Sequence, residues 1–244
     1  MASALNTIKE VIRSLWTSNK TQRSQLTLRA MGNSWKDPRI PEEQLKIVVE
    51  ELEMLRSGNP PSVYTVAAEA LNNIPGTDTL SLLDFGCASG YYYEVISTLA
   101  KKKFEYTGAD YSQSMLNLAR RRYPDTEFKR LDIRHIDLSD KSYDVVFTGA
   151  VIVHVKEWKD AVKELARITK SYLVLHRTPI TNEKSYKTEE KSYAGVPILF
   201  NTFNKDELMN LLLGCGFNEI FELNVYPDRG RGSKYMTYVF ERIK

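Results

Sequence analysis

The sequence has few cysteines, with Cys87 and Cys215 as the two in 244 residues. Two cysteines are too few for a disulfide framework, and their spacing fits no common metal site. We therefore expect two free thiols in a reducing compartment, which favours a cytoplasmic location. The sequence also lacks a cluster of carboxylates and amides that would hold magnesium, so no metal is expected.

Long apolar runs are missing as well. No stretch approaches the roughly 20 apolar residues that a membrane-spanning helix requires. Residues 1–19 mix Lys9, Glu10 and Arg13 with apolar residues, whereas a signal peptide has a continuous apolar region. We therefore expect no membrane association.

A strong excess of one charge is the third feature that the sequence lacks. Lys and Arg number 34 against 31 Asp and Glu, which gives a net charge of +3. This charge is too mild to indicate a nucleic-acid partner. The basic runs at 101–103 and 120–122 fall at the C-terminal ends of predicted helices, where cations favour the helix dipole. Nucleic acid is therefore disfavoured as a partner.

Strands and helices alternate from Thr79 onward, which predicts a doubly wound, mostly parallel α/β sheet. Seven strands are expected, and the last two form a C-terminal antiparallel hairpin. The predicted strands are Thr79–Phe85, Phe104–Ala109, Glu127–Leu131, Tyr143–Thr148, Ser171–His176, Phe217–Tyr226 and Tyr235–Glu241. Ligands of such sheets bind beyond the carboxyl ends of the strands, where the strand order reverses.

The part of the chain before this alternation is predicted to be helical. Val48, Leu52 and Leu55 recur at three- and four-residue steps, which indicates one apolar helix face. We divide the chain into an N-terminal helical lid, residues 1–75, and an α/β domain, residues 76–244. Within the domain, the stretch 178–203 is predicted to be a long loop, and loops of this length are usually functional or mobile.

A glycine loop follows the first strand of the α/β domain. It reads Asp84-Phe85-Gly86-Cys87-Ala88-Ser89-Gly90. Gly86 lets the chain turn sharply, and Gly90 lets a ligand approach the backbone closely. Asp84 is placed either to accept a hydrogen bond from an ammonium group or to anchor the loop.

This loop departs from the dinucleotide-binding fingerprint Gly-x-Gly-x-x-Gly, which needs glycine at positions 88 and 91. The chain has Ala88 and Tyr91 there, and a tyrosine at the second position would block close packing of the helix on the strand. A hydride-transfer enzyme is therefore disfavoured.

Acidic residues follow the second and third strands. Asp110 lies 20 residues after Gly90, where an acidic residue is placed to bind both hydroxyls of a ribose. A solvated loop carboxylate is the alternative. Asp132 is placed to accept a hydrogen from an adenine amino group, with the backbone of Ile133 reading the ring edge. The pattern favours a bound adenosine.

Together these motifs resemble the S-adenosylmethionine-binding half of class I methyltransferases. The family pattern is Asp-x-Gly-x-Gly-x-Gly, then Asp-x-Ser-x-x-Met-Leu, an Asp near the adenine, Asp-Val-Val and a His-Val pair. The matching segments are Asp84–Gly90, Asp110–Leu116, Asp132-Ile133, Asp144–Val146 and His154-Val155. The resemblance implies a Rossmann-like fold, S-adenosylmethionine as cofactor and S-adenosylhomocysteine as product. The chain departs from the pattern at Ala88, where glycine is usual, and at Gly149, where relatives often carry a polar residue.

The resemblance also implies roles along the cofactor. The residues implied for the methionine portion are Asp84, Gly86, Cys87, Ala88, Gly90, Thr148 and Gly149. The residues implied for the ribose and the adenine are Asp110, Tyr111, Met115, Asp132 and Ile133.

Two histidines are candidates for a catalytic base. His154 falls just past the fourth strand and is either a base or acceptor-orienting group, or a packing residue at a helix start. His176 ends the fifth strand and either faces the acceptor or is structural. A general base adds roughly 10²–10⁴-fold, and only where the acceptor needs deprotonation.

The acceptor side is expected to be aromatic and to be completed by the stretch 178–203. Tyr91 opens the helix after the glycine loop, Tyr64 lies in the helical lid, and Arg177 and Tyr193 border or belong to the stretch. Tyrosines can hold a sugar, an aromatic acceptor or the sulfonium, and core packing is the alternative for each. Short segments of this stretch also resemble methyltransferases encoded with cell-surface polysaccharide enzymes.

The sequence therefore predicts methyl transfer from S-adenosylmethionine to an oxygen or nitrogen atom of a small-molecule acceptor, such as a sugar or natural product, by a monomer or homodimer. An RNA or protein acceptor is one alternative, and a non-catalytic S-adenosylmethionine-binding regulatory protein is another. The fourth strand is followed by Thr148-Gly149-Ala150-Val151. This is unlike the Asn-Pro-Pro-Tyr motif of base-flipping enzymes, which argues against methylation of base amino groups.

Overall fold

The computed structural model describes residues 31–226 and 233–243; part of the predicted lid, residues 1–30, lies outside this range. The helices described are α1 (Arg39–Arg56), α2 (Ser62–Asn72), α3 (Tyr91–Leu99), α4 (Gln113–Arg122), α5 (Trp158–Ile168) and α6 (Lys205–Gly214). The strands described are β1 (Leu80–Phe85), β2 (Phe104–Asp110), β3 (Glu127–Arg130), β4 (Tyr143–Gly149), β5 (Thr169–Thr181), β6 (Lys187–Tyr193), β7 (Val196–Asn204), β8 (Phe217–Asn224) and β9 (Ser233–Arg242). Short 3-10 turns at Ser34–Lys36 and Ile152–His154 precede α1 and α5.

The strands form one mixed sheet in the order β3-β2-β1-β4-β5-β7-β6, with β9 along β5 and β8 along β9. Strands β1 to β5 pair in parallel, whereas β9 runs antiparallel to both β5 and β8. The strand order reverses at β1, which has β2 on one side and β4 on the other. A crevice therefore opens between the loops that follow β1 and β4, where sheets of this kind bind ligands.

Helices cover both faces of the sheet, because the central strands are apolar on both sides. On β1, Leu82 packs into the cluster formed with α1, α2 and α3, while Leu83 packs into the opposite cluster with α5 and α6. Val145 and Val146 on β4 divide in the same way. This alternation is the two-residue period of a strand. It buries the sheet faces and leaves the carboxyl ends of the strands to form a site.

The stretch 178–203 is a β-hairpin rather than the predicted loop. Strand β5 continues to Thr181, and β6 and β7 then pair antiparallel around the two-residue turn Ala194-Gly195. The turn residues have φ of 52° and 70°, the left-handed values of a type I′ turn. The described residues thus hold nine strands instead of seven. Strand β6 escaped prediction because it is polar, and all of it except Tyr193 is exposed.

The position of this hairpin follows from the two edges of β5. Strand β9 pairs with one edge of β5 from Tyr172 to Thr181. The other edge pairs with β4 as far as His176 and with β7 at Ile180 and Thr181. Because a strand has only two edges for pairing, β7 continues the sheet past the carboxyl end of β4. The hairpin therefore borders the crevice.

The other predicted strands and helices of the α/β domain are present, with ends shifted by a few residues. Asn204 caps α6, because the Glu207 N–H donates to Asn204 Oδ1 at 2.8 Å. The α/β class, with a mostly parallel sheet and a C-terminal antiparallel pair, is confirmed. Within residues 31–226 and 233–243, no helix has both the length and the apolar character needed to cross a bilayer.

Candidate active site

A cavity of about 470 Å³ lies at the carboxyl ends of the parallel strands. Its walls come from the segments after β1 to β4, from Arg177 within β5, from the segment before α1, from α1 and from the tip of the β6–β7 hairpin. The predicted cofactor residues that line it are Gly86, Ala88, Asp110, Tyr111, Met115, Asp132, Ile133 and Gly149. The predicted catalytic and acceptor residues that line it are Tyr91, His154, Arg177 and Tyr193. The predicted residues Asp84, Cys87, Gly90, Thr148, Tyr64 and His176 are not among its lining.

Gly86 makes the turn from β1 into the cavity wall. Its φ is +81°, and a Cβ at this position would lie 2.0 Å from Val151 Cγ2. The N–H groups of Gly86 and Cys87 donate to the Ala109 carbonyl at 2.6 and 2.9 Å, which fixes the loop on the end of β2. Only glycine combines this conformation with so close an approach.

Gly90 and Cys87 support the loop by packing. A Cβ at Gly90 would lie 2.9 Å from Phe128 Cζ and 3.2 Å from Ala119 Cβ. Because glycine has no side chain, Phe128 of β3 and Ala119 of α4 can pack against the loop. Cys87 is buried in a cluster with the same two residues. Burial raises the pKa of its thiol well above the ordinary value. Glycine at position 90 therefore serves this packing as well as its left-handed φ of +77°.

Asp110 joins the glycine loop to the start of α4. Its Oδ2 accepts from the Ala88 N–H at 3.0 Å, and its Oδ1 accepts from the Ser112 N–H at 2.8 Å. Burial raises the pKa of Asp110 to about 6, against the lowering effect of these N–H donors. Each carboxylate oxygen keeps a lone pair for a second donor. The group therefore fits the paired hydroxyls of a ribose.

Tyr111, Met115, Asp132 and Ile133 form one end of the cavity. Arg134 binds Asp132 through two hydrogen bonds, Nε to Oδ1 at 2.8 Å and Nη2 to Oδ2 at 2.5 Å. The side-chain bond from Arg134 lowers the pKa of Asp132, so its carboxyl is a charged acceptor at neutral pH. Apolar surface beside a charged acceptor fits a flat ring that carries an amino group, such as adenine.

Two buried polar atoms on β1 and β4 have no hydrogen-bond partner within the described residues, Asp84 Oδ1 and Thr148 Oγ1. The other Asp84 oxygen accepts from the Tyr106 hydroxyl at 2.6 Å. Burial raises the pKa of Asp84 to about 7. Because an unpartnered buried acceptor is costly, Asp84 Oδ1 fits a ligand donor such as the ammonium group of a methionine moiety. Thr148 lies on the other face of the sheet, since Asp84 pairs with Phe147 and neighbouring strand residues point to opposite faces.

His154 lines the cavity from the 3-10 turn after β4. In the sheet, β2 and β1 separate β4 from β3, which Asp132 follows, so the two residues lie toward opposite ends of the cavity. Its Nδ1 is 2.7 Å from the Leu199 carbonyl oxygen of the hairpin. Because a carbonyl only accepts, the proton is on Nδ1 and the lone pair is on Nε2. Burial lowers the pKa of His154 to about 4, which keeps the imidazole neutral at pH 7. The ring of Trp35 packs on it, with a centroid distance of 4.6 Å.

His176 lies within β5, whereas His154 lies in the turn after β4. It is 1% exposed, and its ring lies between Phe147 and Tyr92, each with a centroid distance of 5.7 Å. Its Nδ1 is 2.7 Å from the Thr237 hydroxyl. Burial lowers its pKa well below the ordinary value. These contacts fit the structural alternative for His176.

Tyr64 also lies in the core rather than at the cavity. It is fully buried on α2, and its ring contacts those of Tyr91 and Tyr92 with centroid distances of 5.9 and 6.0 Å. Tyr91 therefore stands between Tyr64 and the cavity that it lines. Tyr64 acts on the site through the position of Tyr91.

Sequence reasoning placed α1 in the helical lid but did not single out the residues of this helix that line the cavity. Gln44, Val48 and Glu51 line the cavity and recur at steps of four and three residues, which places them on one helix face. The same periodicity that predicted the apolar face of α1 could have identified this polar edge. The Leu199 carbonyl was also missed, because its approach to His154 depends on the unpredicted hairpin.

No group of three or more His, Cys, Asp or Glu side chains suited to a metal ion occurs in the part of the chain that the structure describes. The doubly wound sheet, the glycine turn after β1 and the carboxylate after β2 define a Rossmann-like domain of the nucleoside-binding type. Residues 83–174 match the methyltransferase domain family. They form a class I, S-adenosylmethionine-dependent methyltransferase domain, as the sequence motifs predicted.

Named relatives agree with this assignment. A probable S-adenosylmethionine-dependent methyltransferase of Mycobacterium tuberculosis is 29% identical over 147 residues, which are 60% of this chain and 52% of that protein. The crystal structure of an S-adenosylmethionine-dependent methyltransferase from Methanosarcina mazei has a TM-score of 0.56 at 20% identity, covering 70% of this chain and 95% of that one. A Burkholderia thailandensis 1,6-didemethyltoxoflavin-N1-methyltransferase, solved with bound 1,6-didemethyltoxoflavin and S-adenosylhomocysteine, has a TM-score of 0.53 at 14% identity, covering 84% and 91%. The chain spans about half the length of the curated relatives it matches.

Proposed function

We propose that the chain transfers a methyl group from S-adenosylmethionine to an oxygen or nitrogen atom of a small-molecule acceptor. The observation that carries this proposal is one cavity lined by Asp110 and Asp132 at one end and by His154 at the other. One end fits an adenosine, and the other presents a neutral imidazole among aromatic side chains. The sulfonium of the cofactor supplies an electrophilic methyl group, so the protein's own part is binding, alignment and proton removal.

The cofactor roles follow from the donors and acceptors described above. Asp110 binds the ribose hydroxyls, and Asp132 with the backbone of Ile133 binds the adenine edge. Asp84 accepts from the ammonium group of the methionine portion. Each of these assignments gives a partner to a polar atom that is buried or faces the cavity.

His154 removes the proton from the accepting hydroxyl or amine. Its Nδ1–H donates to the Leu199 carbonyl, so Nε2 is the basic position. The pKa of about 4, lowered by burial, ensures that the unprotonated form is present at pH 7. So weak a base suits a proton that is released as the new bond to the methyl carbon forms.

A small acceptor is favoured over an RNA or protein chain by the walls of this end of the cavity. Trp35 packs against both His154 and Tyr193, with centroid distances of 4.6 and 5.3 Å. A polymer would have to displace this aromatic contact between the segment before α1 and the hairpin. The volume of about 470 Å³ is in the range of small-molecule sites.

The direct test is transfer of a labelled methyl group from S-adenosylmethionine by the purified protein. A fractionated small-molecule extract, bulk RNA and a protein extract are offered separately. Label in a low-molecular-weight product supports the proposal, while label in RNA or protein supports the alternative acceptors. Tight binding of S-adenosylhomocysteine without transfer to any fraction would favour a non-catalytic binder.

Asp110→Ala is expected to weaken S-adenosylhomocysteine binding by about 1–3 kcal/mol, or roughly 5- to 150-fold in Kd, because a buried acceptor of two ribose hydrogen bonds is lost. Isothermal titration calorimetry measures the change. The exposed carboxylate Asp137 provides a matched control, and Asp137→Ala should leave Kd unchanged. An Asp110→Ala protein that folds and binds with the original Kd would remove the ribose assignment.

The affinity for S-adenosylhomocysteine is expected to rise with pH across the pKa of Asp84. Burial raises this pKa to about 7, so the carboxyl is mostly neutral at about pH 6 and mostly ionised at about pH 8, where it binds an ammonium group more strongly. In the absence of ligand the sign is opposite. Folding stability falls as pH rises from the unfolded pKa of about 4 to the folded value, because the folded state retains a proton that the unfolded chain releases.

Calorimetric titrations at several pH values test this dependence. Asp84→Asn should remove most of the slope of Kd against pH, because the amide does not ionise. Asp132→Asn is the control, since the pKa of Asp132 lies below the ordinary value and its ionisation does not change in this range. The comparison is made between pH 7 and 8, above the pKa of about 6 that burial gives Asp110. A slope that survives there in Asp84→Asn would assign the ammonium contact to another group.

A further inference from the structure

Arg177 occupies a bulge at the acceptor end of the cavity. The register between β5 and β9 shifts between Leu175 and Thr178, and Arg177 has a φ of +58°. A residue with a Cβ pays a conformational cost in this left-handed region, so the surrounding structure must impose it. Bulges beside active sites commonly redirect one side chain. This bulge places Arg177 in the cavity wall next to His176, which stays in the core.

The guanidinium of Arg177 has no direct ion pair within the described residues, and Glu51 acts on it only as a more distant negative charge. Its Nε is buried and has no hydrogen-bond partner. No ion pair of the described residues includes it, whereas the other cavity arginine, Arg134, is paired with Asp132. Glu51 on α1 also lines the cavity, but it forms no ion pair with Arg177. A guanidinium held in this way is costly unless a ligand supplies the counter-charge.

Hydrogen-bond donors surround the same end of the cavity. The indole Nε1–H of Trp35 is buried without a partner, and Trp35, Tyr91 and Tyr193 line the cavity with Arg177. A guanidinium with a free indole N–H and phenol groups is the donor set that binds a carboxylate or a phosphate. An acceptor without negative charge would supply hydrogen-bond acceptors at most and would leave the charge of Arg177 without a counter-charge.

We propose that Arg177, with the Trp35 indole N–H, binds an anionic group of the methyl acceptor, so that the acceptor is a small organic acid or phosphate ester. This inference rests on the proposed function, because it names the acceptor class for that cavity. The methionine carboxylate of the cofactor is the competing anion. Asp110 on β2 and Arg177 on β5 are separated by β1 and β4, which is three strand spacings or about 14 Å. Arg177 is therefore remote from the ribose, and the effect of its replacement on cofactor affinity decides between the methionine carboxylate and the acceptor.

The test compares anionic and neutral probes of the same shape on the complex with S-adenosylhomocysteine. Benzoate and phenyl phosphate are the anionic probes, since the cavity wall is aromatic, and benzamide is the neutral control. We expect calorimetry to give at least about tenfold tighter binding for one of the anions, and the stronger anion distinguishes a carboxylate from a phosphate site. The proposal is overturned if neither anion binds more tightly than benzamide, or if none of the three probes binds detectably. This outcome is read from the wild-type protein alone.

Arg177→Met should abolish the preference for the anion, and Arg177→Lys should retain part of it. Both replacements keep a Cβ at the left-handed position, so the backbone cost is matched. Lys191→Met is the electrostatic control, because Lys191 contributes to the field at His154 but does not line the cavity, and this variant should keep the preference.

The affinity for S-adenosylhomocysteine separates the outcomes. Unchanged affinity in Arg177→Met supports the acceptor role, whereas a loss of tenfold or more would assign Arg177 to the cofactor carboxylate and overturn the proposal. Failure of the wild-type protein to bind S-adenosylhomocysteine would instead refute the proposed function. The anion preference can still be measured on the protein without cofactor in that case.

Discussion

His154→Ala is expected to lower the rate of methyl transfer by roughly 10²–10⁴-fold, the usual contribution of a general base. The affinity for S-adenosylhomocysteine should not change, because His154 lies at the end of the cavity opposite Asp132 and Ile133. The effect is specific to the Nε2 lone pair, which the Leu199 carbonyl leaves free by accepting the Nδ1 proton. His154→Gln should not restore the rate, because an amide is not a base at neutral pH.

The measurement uses the labelled-methyl assay with the acceptor fraction that the wild-type protein methylates. His135→Ala is the matched control, because His135 is an exposed histidine outside the cavity lining. Nitrogen-15 spectra of the wild-type imidazole provide an independent readout. They should give the Nδ1–H tautomer and a pKa near the value of about 4 that burial imposes on His154. A rate close to wild type in His154→Ala would mean that the acceptor reacts without a base, as a carboxylate does.

The cofactor half of the site was predictable because its residues sit at fixed places in a local pattern. Each strand of the parallel sheet is a short apolar run, and the residue after it must lie at the carboxyl edge. Asp110 and Asp132 were therefore expected at this edge from strand ends alone, and both line the cavity. The sharp turn expected at Gly86 has a left-handed φ of +81°.

The two histidines illustrate what a strand end cannot specify. His154 and His176 both follow apolar runs, but side chains of neighbouring strand residues point to opposite faces. A bulge after Leu175 then changes the direction once more, so that Arg177 rather than His176 reaches the cavity. Local sequence carries no signal for this bulge, which depends on pairing with β9. The rule that the residue after an apolar run lies at the carboxyl edge of the sheet therefore locates Asp110 but is ambiguous for His176.

The acceptor half was less predictable because it is built from long-range contacts. The β6–β7 hairpin anchors on the turn after β4, where Asn201 Nδ2 donates to the Val155 carbonyl at 2.7 Å. On β7, the Leu199 carbonyl also accepts the hydrogen bond from His154 Nδ1. The polar composition of β6 hid the hairpin from periodicity. The pair Ala194-Gly195 was the available cue, since a two-residue turn with glycine is typical of a hairpin.

Gly86→Ala is expected to be the most damaging small substitution in the glycine loop. The added methyl group would lie 2.0 Å from Val151 Cγ2, at a φ of +81°. The left-handed conformation costs about 1–2 kcal/mol for a residue with a Cβ, and overpacking adds about 1–3 kcal/mol. The loop can relieve the clash only by moving away from Val151, which displaces the Ala88 N–H from Asp110. Both the free energy of unfolding and the affinity for S-adenosylhomocysteine should fall.

Gly76→Ala separates the two costs in urea unfolding and calorimetry. Gly76 has almost the same φ, +82°, but a Cβ there would meet nothing within 4 Å. Gly76→Ala is therefore destabilised by the backbone conformation alone. This variant should bind S-adenosylhomocysteine normally. Val151→Ala removes the clashing methyl groups, and the double variant with Gly86→Ala should recover the steric part as a favourable coupling energy. A Gly86→Ala protein no worse than Gly76→Ala, or a coupling energy near zero, would mean that glycine is needed at position 86 for its conformation alone. In that case the contact between the glycine loop and the turn after β4 would not set the shape of the cofactor site.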